Sequence, residues 1–249
     1  MFDLSVFEWI VLVIAAMLIG FSKAGVSSMG ILVVTLFMIL FPAKESVGIL
    51  LPLLIVGDLF AVTYYRKNVV WKYLFSLVPS VLVGVLIGYY VLSYVTSDQL
   101  KPMIGILVLA LIILHISRER LGEKFNQMLP EAKIFTMMMG ALAGFATMIG
   151  NAAGGVMAIY FLVKGLPKKE FVGTGGAWFF LFVNMIKVPF YISLGMINME
   201  SIMFNLWLIP MILIGAVIGV KVLQLMPQRL FQILVLVFAG IGAIRLLIG

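Results

Sequence analysis

Gly20-Phe-Ser-Lys-Ala-Gly-Val-Ser-Ser-Met-Gly30 is a run of small and hydroxylated residues carrying one lysine, set between apolar segments too long to be soluble loops. About half a chain later, Gly144-Phe-Ala-Thr-Met-Ile-Gly-Asn-Ala-Ala-Gly-Gly155 repeats its shape. Glycine at this density frees the backbone from regular helix. Two such interruptions in one apolar chain point to a pair of broken helices acting together.

The flanking composition fixes the solvent. Of 249 residues, 64% are hydrophobic and only 11% charged, with a mean hydropathy of +1.23. A soluble domain of this length needs far more charge on its surface, so the chain reads as a polytopic integral membrane protein. Lipid accepts only helices or closed barrels, and the long, non-alternating apolar runs select helices. The absence of cysteine excludes thiol catalysis, iron–sulfur clusters and cysteine-based metal sites. The single histidine, His115, stands at the end of an apolar segment beside Arg118 and Arg120 and reads as an interfacial residue. No metal and no cofactor is expected. The net charge of +7 sits in short loops, where it sets orientation and meets lipid headgroups, so nucleic acid is not an expected partner. The N-terminal stretch carries Asp3 and Glu8, and no small-residue cleavage site follows; a removable signal peptide is not expected.

Apolar segments run at about 9–21, 26–41, 47–64, 73–95, 102–116, 134–149, 152–163, 171–194, 201–225 and 230–248. A full span needs roughly 20 residues. The first two segments of each half are the shortest, and the sequence leaves open whether they are tilted spans or the arms of re-entrant hairpins. Arg66, Lys67 and Lys72, the central bases Arg118, Arg120, Lys124 and Lys133, and Lys164, Lys168 and Lys169 all fall on one side, whichever is true. The positive-inside rule makes that side cytoplasmic and puts the N-terminus outside.

The only long polar stretch, centred on residues 118–133, reads as a cytoplasmic linker between halves 1–117 and 134–249. Across it the sequence repeats at an offset of 125, with Gly25/Gly150, Gly30/Gly155, Pro42/Pro167 and Gly48/Gly173, and later at 131, with Pro79/Pro210, Gly84/Gly215 and Gly88/Gly219. Each half has an odd number of crossings, so the second is inserted upside down. The expected fold is therefore all-α and polytopic, with about 8–10 transmembrane or re-entrant helices in two inverted repeats and broken helices at the midplane. That is the architecture of secondary transporters.

A helix starting after the first break would aim unsatisfied N–H groups and its positive dipole end into the gap, where an anion would be held. Lys23 adds charge there, and Ser27 and Ser28 add hydroxyls. The second break offers Asn151, with Thr174 nearby. Asn184 and Lys187 precede Pro189 inside an apolar segment, and a lysine at that depth is expensive unless it has a partner or snorkels. Asp58, the only acid well inside an apolar segment, is either a proton carrier or the counter-ion of Lys23 or Lys187. The bland alternative is that the glycines simply pack helices closely. No Ser/His/Asp set, zinc motif or Walker loop is present, so an enzyme is not expected.

These features resemble the sulfite exporter TauE/SafE family: two related halves joined by a charged loop, the Gly25 to Gly30 and Gly150-Asn-Ala-Ala-Gly-Gly155 turns, Pro42 and Pro167, Gly48 and Gly173, and the Asn184/Lys187/Pro189 segment. The resemblance implies transport of sulfite, sulfonates or related organic anions, often outward, across the bacterial inner membrane. The first turn is less glycine-rich than the family's usual run, and the absence of cysteine separates the chain from similar-looking thiosulfate importers. The expected partners are a small anionic substrate and membrane lipids, with homo-oligomerisation left open. The alternative readings are a passive anion channel and a membrane scaffold without substrate.

Overall fold

The computed structural model describes residues 4–24, 30–121 and 132–227, together with the helical positions Leu230, Ile233, Val237, Ile241 and Ile244. Every regular element among them is helical: α1 (Val6–Ala24), α2 (Gly30–Leu40), α3 (Ala43–Tyr65), α4 (Trp71–Tyr94), α5 (Ser97–Leu121), α6 (Ala132–Gly150), α7 (Ala153–Val163), α8 (Lys168–Ser193), α9 (Met199–Leu206) and α10 (Ile209–Leu225). Ser27, Ser28 and the middle of the central linker lie outside the described residues; α5 and α6 extend into the linker from either side.

Five of these helices are long and apolar enough to cross a membrane: α1, α3, α4, α6 and α8. A sixth candidate is the pair α9 and α10, bent by 54°. The sequence suggests one continuous segment there. Pro210 breaks it, because a proline in the first turn of α10 has no N–H for the preceding turn and crowds its carbonyl. Asn198 caps α9 by a reciprocal pair with Ser201.

The ambiguous segments are hairpins with unequal arms. α1 has 19 residues and is long enough to span, whereas α2 has 11 and rises only about 16 Å. α6 and α7 have the same lengths. Trp9 near the start of α1 and Phe41 just beyond α2 both meet the Phe204 ring, at 5.7 and 6.2 Å, so this pair returns to the end where it began. Phe135 and Tyr160 stack at 6.1 Å and bring the second pair back likewise. That second end is the basic one. Lys164 lies over the Tyr73 and Tyr160 rings, and Val70 reaches Thr174 there, so the loops bearing Arg66, Lys67, Lys168 and Lys169 share it. The two hairpins therefore enter from opposite ends of the bundle.

Close packing follows the repeated glycines. α1 crosses α10 and α6 crosses α4, the two most extensive helix contacts. A Cβ on Gly84 would strike the Ala141 carbonyl, and one on Gly215 the Met17 carbonyl; Gly144 and Gly20 press in the same way on Val81 and Ile212. Without side chains at these points the backbones come together, as small-residue faces in membranes allow. The opposite faces of α4 and α10 expose Leu82, Leu86 and Ile87, and Leu213, Val217 and Ile218, which suits them to lipid.

α8 holds a local irregularity. Its Val172–Phe179 stretch is a π-helix, whose wider turn accommodates an additional residue. Across it the repeat offset grows from 125 at Gly48/Gly173 to 126 at Tyr65/Tyr191. From Phe180 onward α8 runs through Pro189 to Ser193.

Candidate functional site

The break between α6 and α7 is built around Asn151, the one described non-glycine residue with a left-handed backbone, at φ 53°. Asparagine tolerates this conformation and commonly ends helices in it. The N–H groups of Asn151 and Ala152 bond back to the carbonyls of Thr147 and Ala146, at 2.9 and 3.2 Å. The turn leaves the Asn151 side chain between α3 and α8. Its amide donates to the Val47 carbonyl at 3.2 Å, and its oxygen accepts from Lys187 Nζ at 2.5 Å.

Lys187 has no exposed surface, so it does not snorkel. Its ammonium also donates to Thr147 Oγ1 at 3.0 Å and to Asn184 Oδ1 at 3.1 Å. Three acceptors match the three protons of a charged lysine, whereas a neutral amine would have only two to give. All three acceptors are neutral. The Tyr191 ring, 5.3 Å away, adds its π face.

Lys23, in the last turn of α1, meets Asp58 Oδ1 of α3 at 2.7 Å and lies 4.3 Å over the Phe180 ring. Asp58 Oδ2 accepts from Asn184 Nδ2 at 2.7 Å. Asn184 therefore joins the two lysines, giving its N–H to the carboxylate and its oxygen to Lys187. A wholly buried carboxylate persists only when paired and hydrogen-bonded, as this one is. Among the described residues, Lys23, Asp58 and Lys187 are the buried charged side chains. Two cations share one anion.

A cavity of about 20 Å³ lies against this network, lined by Lys23, Gly30, Thr147, Asn151, Gly154 and Asn184. That is room for one water molecule. Gly30 and Gly154 belong to the first turns of α2 and α7, so both short helices present N-terminal N–H groups to the cavity. A larger cavity, of about 440 Å³, opens at the basic end between Tyr64, Tyr65, Asn68, Lys168, Lys169 and Gln224. Buried Tyr65 lines the larger one, and its hydroxyl donates to the Ala24 carbonyl at 2.8 Å, next to Lys23.

Of the residues singled out in the sequence, Lys23, Asp58, Asn151, Asn184 and Lys187 come together here. Thr174 does not. Its hydroxyl accepts from the Val70 N–H at 2.9 Å, beside the start of α4. Ten residues separate it from Asn184, about 15 Å along α8, which is too far for a shared ligand. Sequence reasoning missed Thr147, Tyr65 and Tyr191. The sequence held a signal for all three: setting Gly20-Phe21 against Gly144-Phe145, an offset of 124, places Thr147 opposite Lys23, and the tyrosines stand opposite each other at 126 once the π-helical residue is allowed for.

The family model described as sulfite exporter TauE/SafE matches residues 12–246. No curated protein and no solved structure matches the chain.

Proposed function

This chain belongs to the sulfite exporter TauE/SafE family, a family of membrane transporters rather than enzymes, and we propose that it is a secondary exporter of sulfite or organosulfonates working by alternating access between two inverted halves. The single observation that carries the reading is the buried excess of positive charge. Lys187 is completely withdrawn from solvent, uses all its protons on neutral oxygens and, among the described residues, has no carboxylate in contact. A lysine near the bilayer centre costs about 2.5–3.5 kcal/mol on insertion scales. An entering anion offsets that cost, which favours the loaded state of the carrier.

Lys23 and Lys187 supply charge to the anion, Thr147, Asn151 and Asn184 supply polar contacts, and Ser27 and Ser28 supply hydroxyls from the first break. Asp58 serves as the counter-ion of Lys23. The two short helices add backbone N–H donors. Alternating access is supported by hairpins that enter from opposite ends and by glycine crossings that recur at matching positions of the two halves. A central cavity of about 20 Å³ favours a carrier over an open channel, since an oxyanion enters only if the helices part. The clustering of loop bases at one end supports placing that end in the cytoplasm of a bacterial inner-membrane protein, with the N-terminus outside.

Uptake of radiolabelled sulfite into proteoliposomes tests the reading. The parent should show saturable flux and counterflow, and Lys187→Ala should lose both. Flux without saturation would indicate a channel. Absence of both flux and binding in the parent would leave a scaffold.

A further inference from the structure

We propose that Asp58 sets the valence of the transported anion: by neutralising one of two buried lysines, it leaves the site one net positive charge and selects monovalent anions, such as hydrogensulfite and alkanesulfonates, over divalent ones. This deepens the transporter reading above and rests on it.

The charges are complete enough to count. Lys23 and Lys187 carry two positive charges and Asp58 one negative, and no other described charged side chain is buried. Residues 25–29 read Gly-Val-Ser-Ser-Met in the sequence and contain no charge. Helix dipoles do not alter the balance. The positive ends of α2 and α7 meet at the cavity, but the negative ends of α1 and α6 terminate at the same breaks and oppose them. A monoanion makes the closed cluster neutral. A dianion leaves it with one uncompensated negative charge, and in a low-dielectric interior such a residue of charge is heavily penalised.

Asp58 is also fixed as an ion. Both of its oxygens are engaged, one by Lys23 at 2.7 Å and the other by Asn184 at 2.7 Å. Asn184 connects it to Lys187 at 3.1 Å, so the carboxylate belongs to the same unit as both lysines. It has no proton to donate in this arrangement and cannot itself contact an anion favourably. Its contribution is to subtract a charge.

Binding to the purified full-length protein, measured calorimetrically with methanesulfonate and ethane-1,2-disulfonate, tests this, because both probes hold their charge across neutral pH. The parent should bind the monovalent probe at least about tenfold more tightly. Asp58→Asn raises the site to two positive charges and should move the ratio about tenfold or more toward the divalent probe. The double variant Lys23→Gln/Asp58→Asn returns to one positive charge and should recover the parent's preference, whereas Lys23→Gln alone leaves none and should bind both probes weakly. A purely structural role for Asp58 would make the double variant no better than either single one, and that result, or an unchanged ratio in Asp58→Asn, overturns the inference. If Asp58→Asn does not fold, Lys23→Gln and the double variant decide: equal monovalent affinity in the two overturns it. If the parent binds neither probe nor sulfite, the transporter reading itself fails; if it binds both probes equally or prefers the divalent one, only the valence inference fails.

Discussion

Tyr65 and Tyr191 each donate a hydroxyl to the last turn of a helix that enters a break, Tyr65 to the Ala24 carbonyl at 2.8 Å and Tyr191 to the Met148 carbonyl at 2.7 Å. Carbonyls at the end of a helix lack intrahelical partners, so a buried hydroxyl there both satisfies and anchors them. Tyr65 stands toward the basic end and Tyr191 toward the other, because α3 and α8 run in opposite directions past the cluster. The two hydroxyls thereby anchor helix ends on opposite sides of the buried cluster.

Removing one hydroxyl should loosen one side only. A typical hydrogen bond contributes about 1 kcal/mol, a roughly fivefold change in the population of an opened state. The chain has no cysteine, so a single Ser22→Cys in the cavity lining is a clean reporter. With an impermeant thiol reagent, Tyr65→Phe should raise labelling from the basic end and Tyr191→Phe from the opposite end. Equal increases from both ends would show that the tyrosines merely stabilise the bundle.

Charge at the site should matter more than charge at the surface. Lys23→Gln removes a buried ammonium that meets Asp58, whereas Lys221→Gln removes an exposed one. Sulfite affinity should fall about tenfold or more in the first and change little in the second, since exposed charges are screened. Matching losses in a binding titration would point to bulk attraction instead.

Asn151 combines a backbone role with a side-chain role, and two substitutions separate them. Asn151→Gly keeps the left-handed turn without steric cost but loses the links to Val47 and Lys187. It should fold normally and transport about tenfold more slowly, since a buried lysine that has lost one of its three acceptors is misplaced in the site. Asn151→Ala adds about 1 kcal/mol of backbone strain and should melt lower than the glycine variant.

The glycine crossings are steric. Gly84→Ala and Gly215→Ala drive a methyl into the carbonyls of Ala141 and Met17, and each should cost about 1–3 kcal/mol in detergent unfolding. Gly30→Ala, whose nearest new neighbour is Ser22 Oγ at 3.9 Å, should leave stability close to that of the parent.

Composition and pattern alone determined that this chain is an all-helical membrane protein, because hydropathy and backbone satisfaction in lipid are properties of each segment by itself. The two glycine-rich breaks, the repeated Gly84/Gly215 and Gly88/Gly219 positions, and the unusual depth of Lys187 and Asp58 were legible for the same reason: each is anomalous against its own neighbours. Partners were not. Which lysine meets Asp58, why Thr174 turns to Val70 rather than to Lys187, and that Thr147 and two tyrosines complete the breaks depend on how α3 and α8 pass between the hairpins. Those contacts join residues separated by 35 positions for Lys23 and Asp58 and by 126 for Asp58 and Asn184. No local propensity encodes such a meeting. It is decided only when the helices have packed and each buried polar group must find its partner among those the fold has brought near.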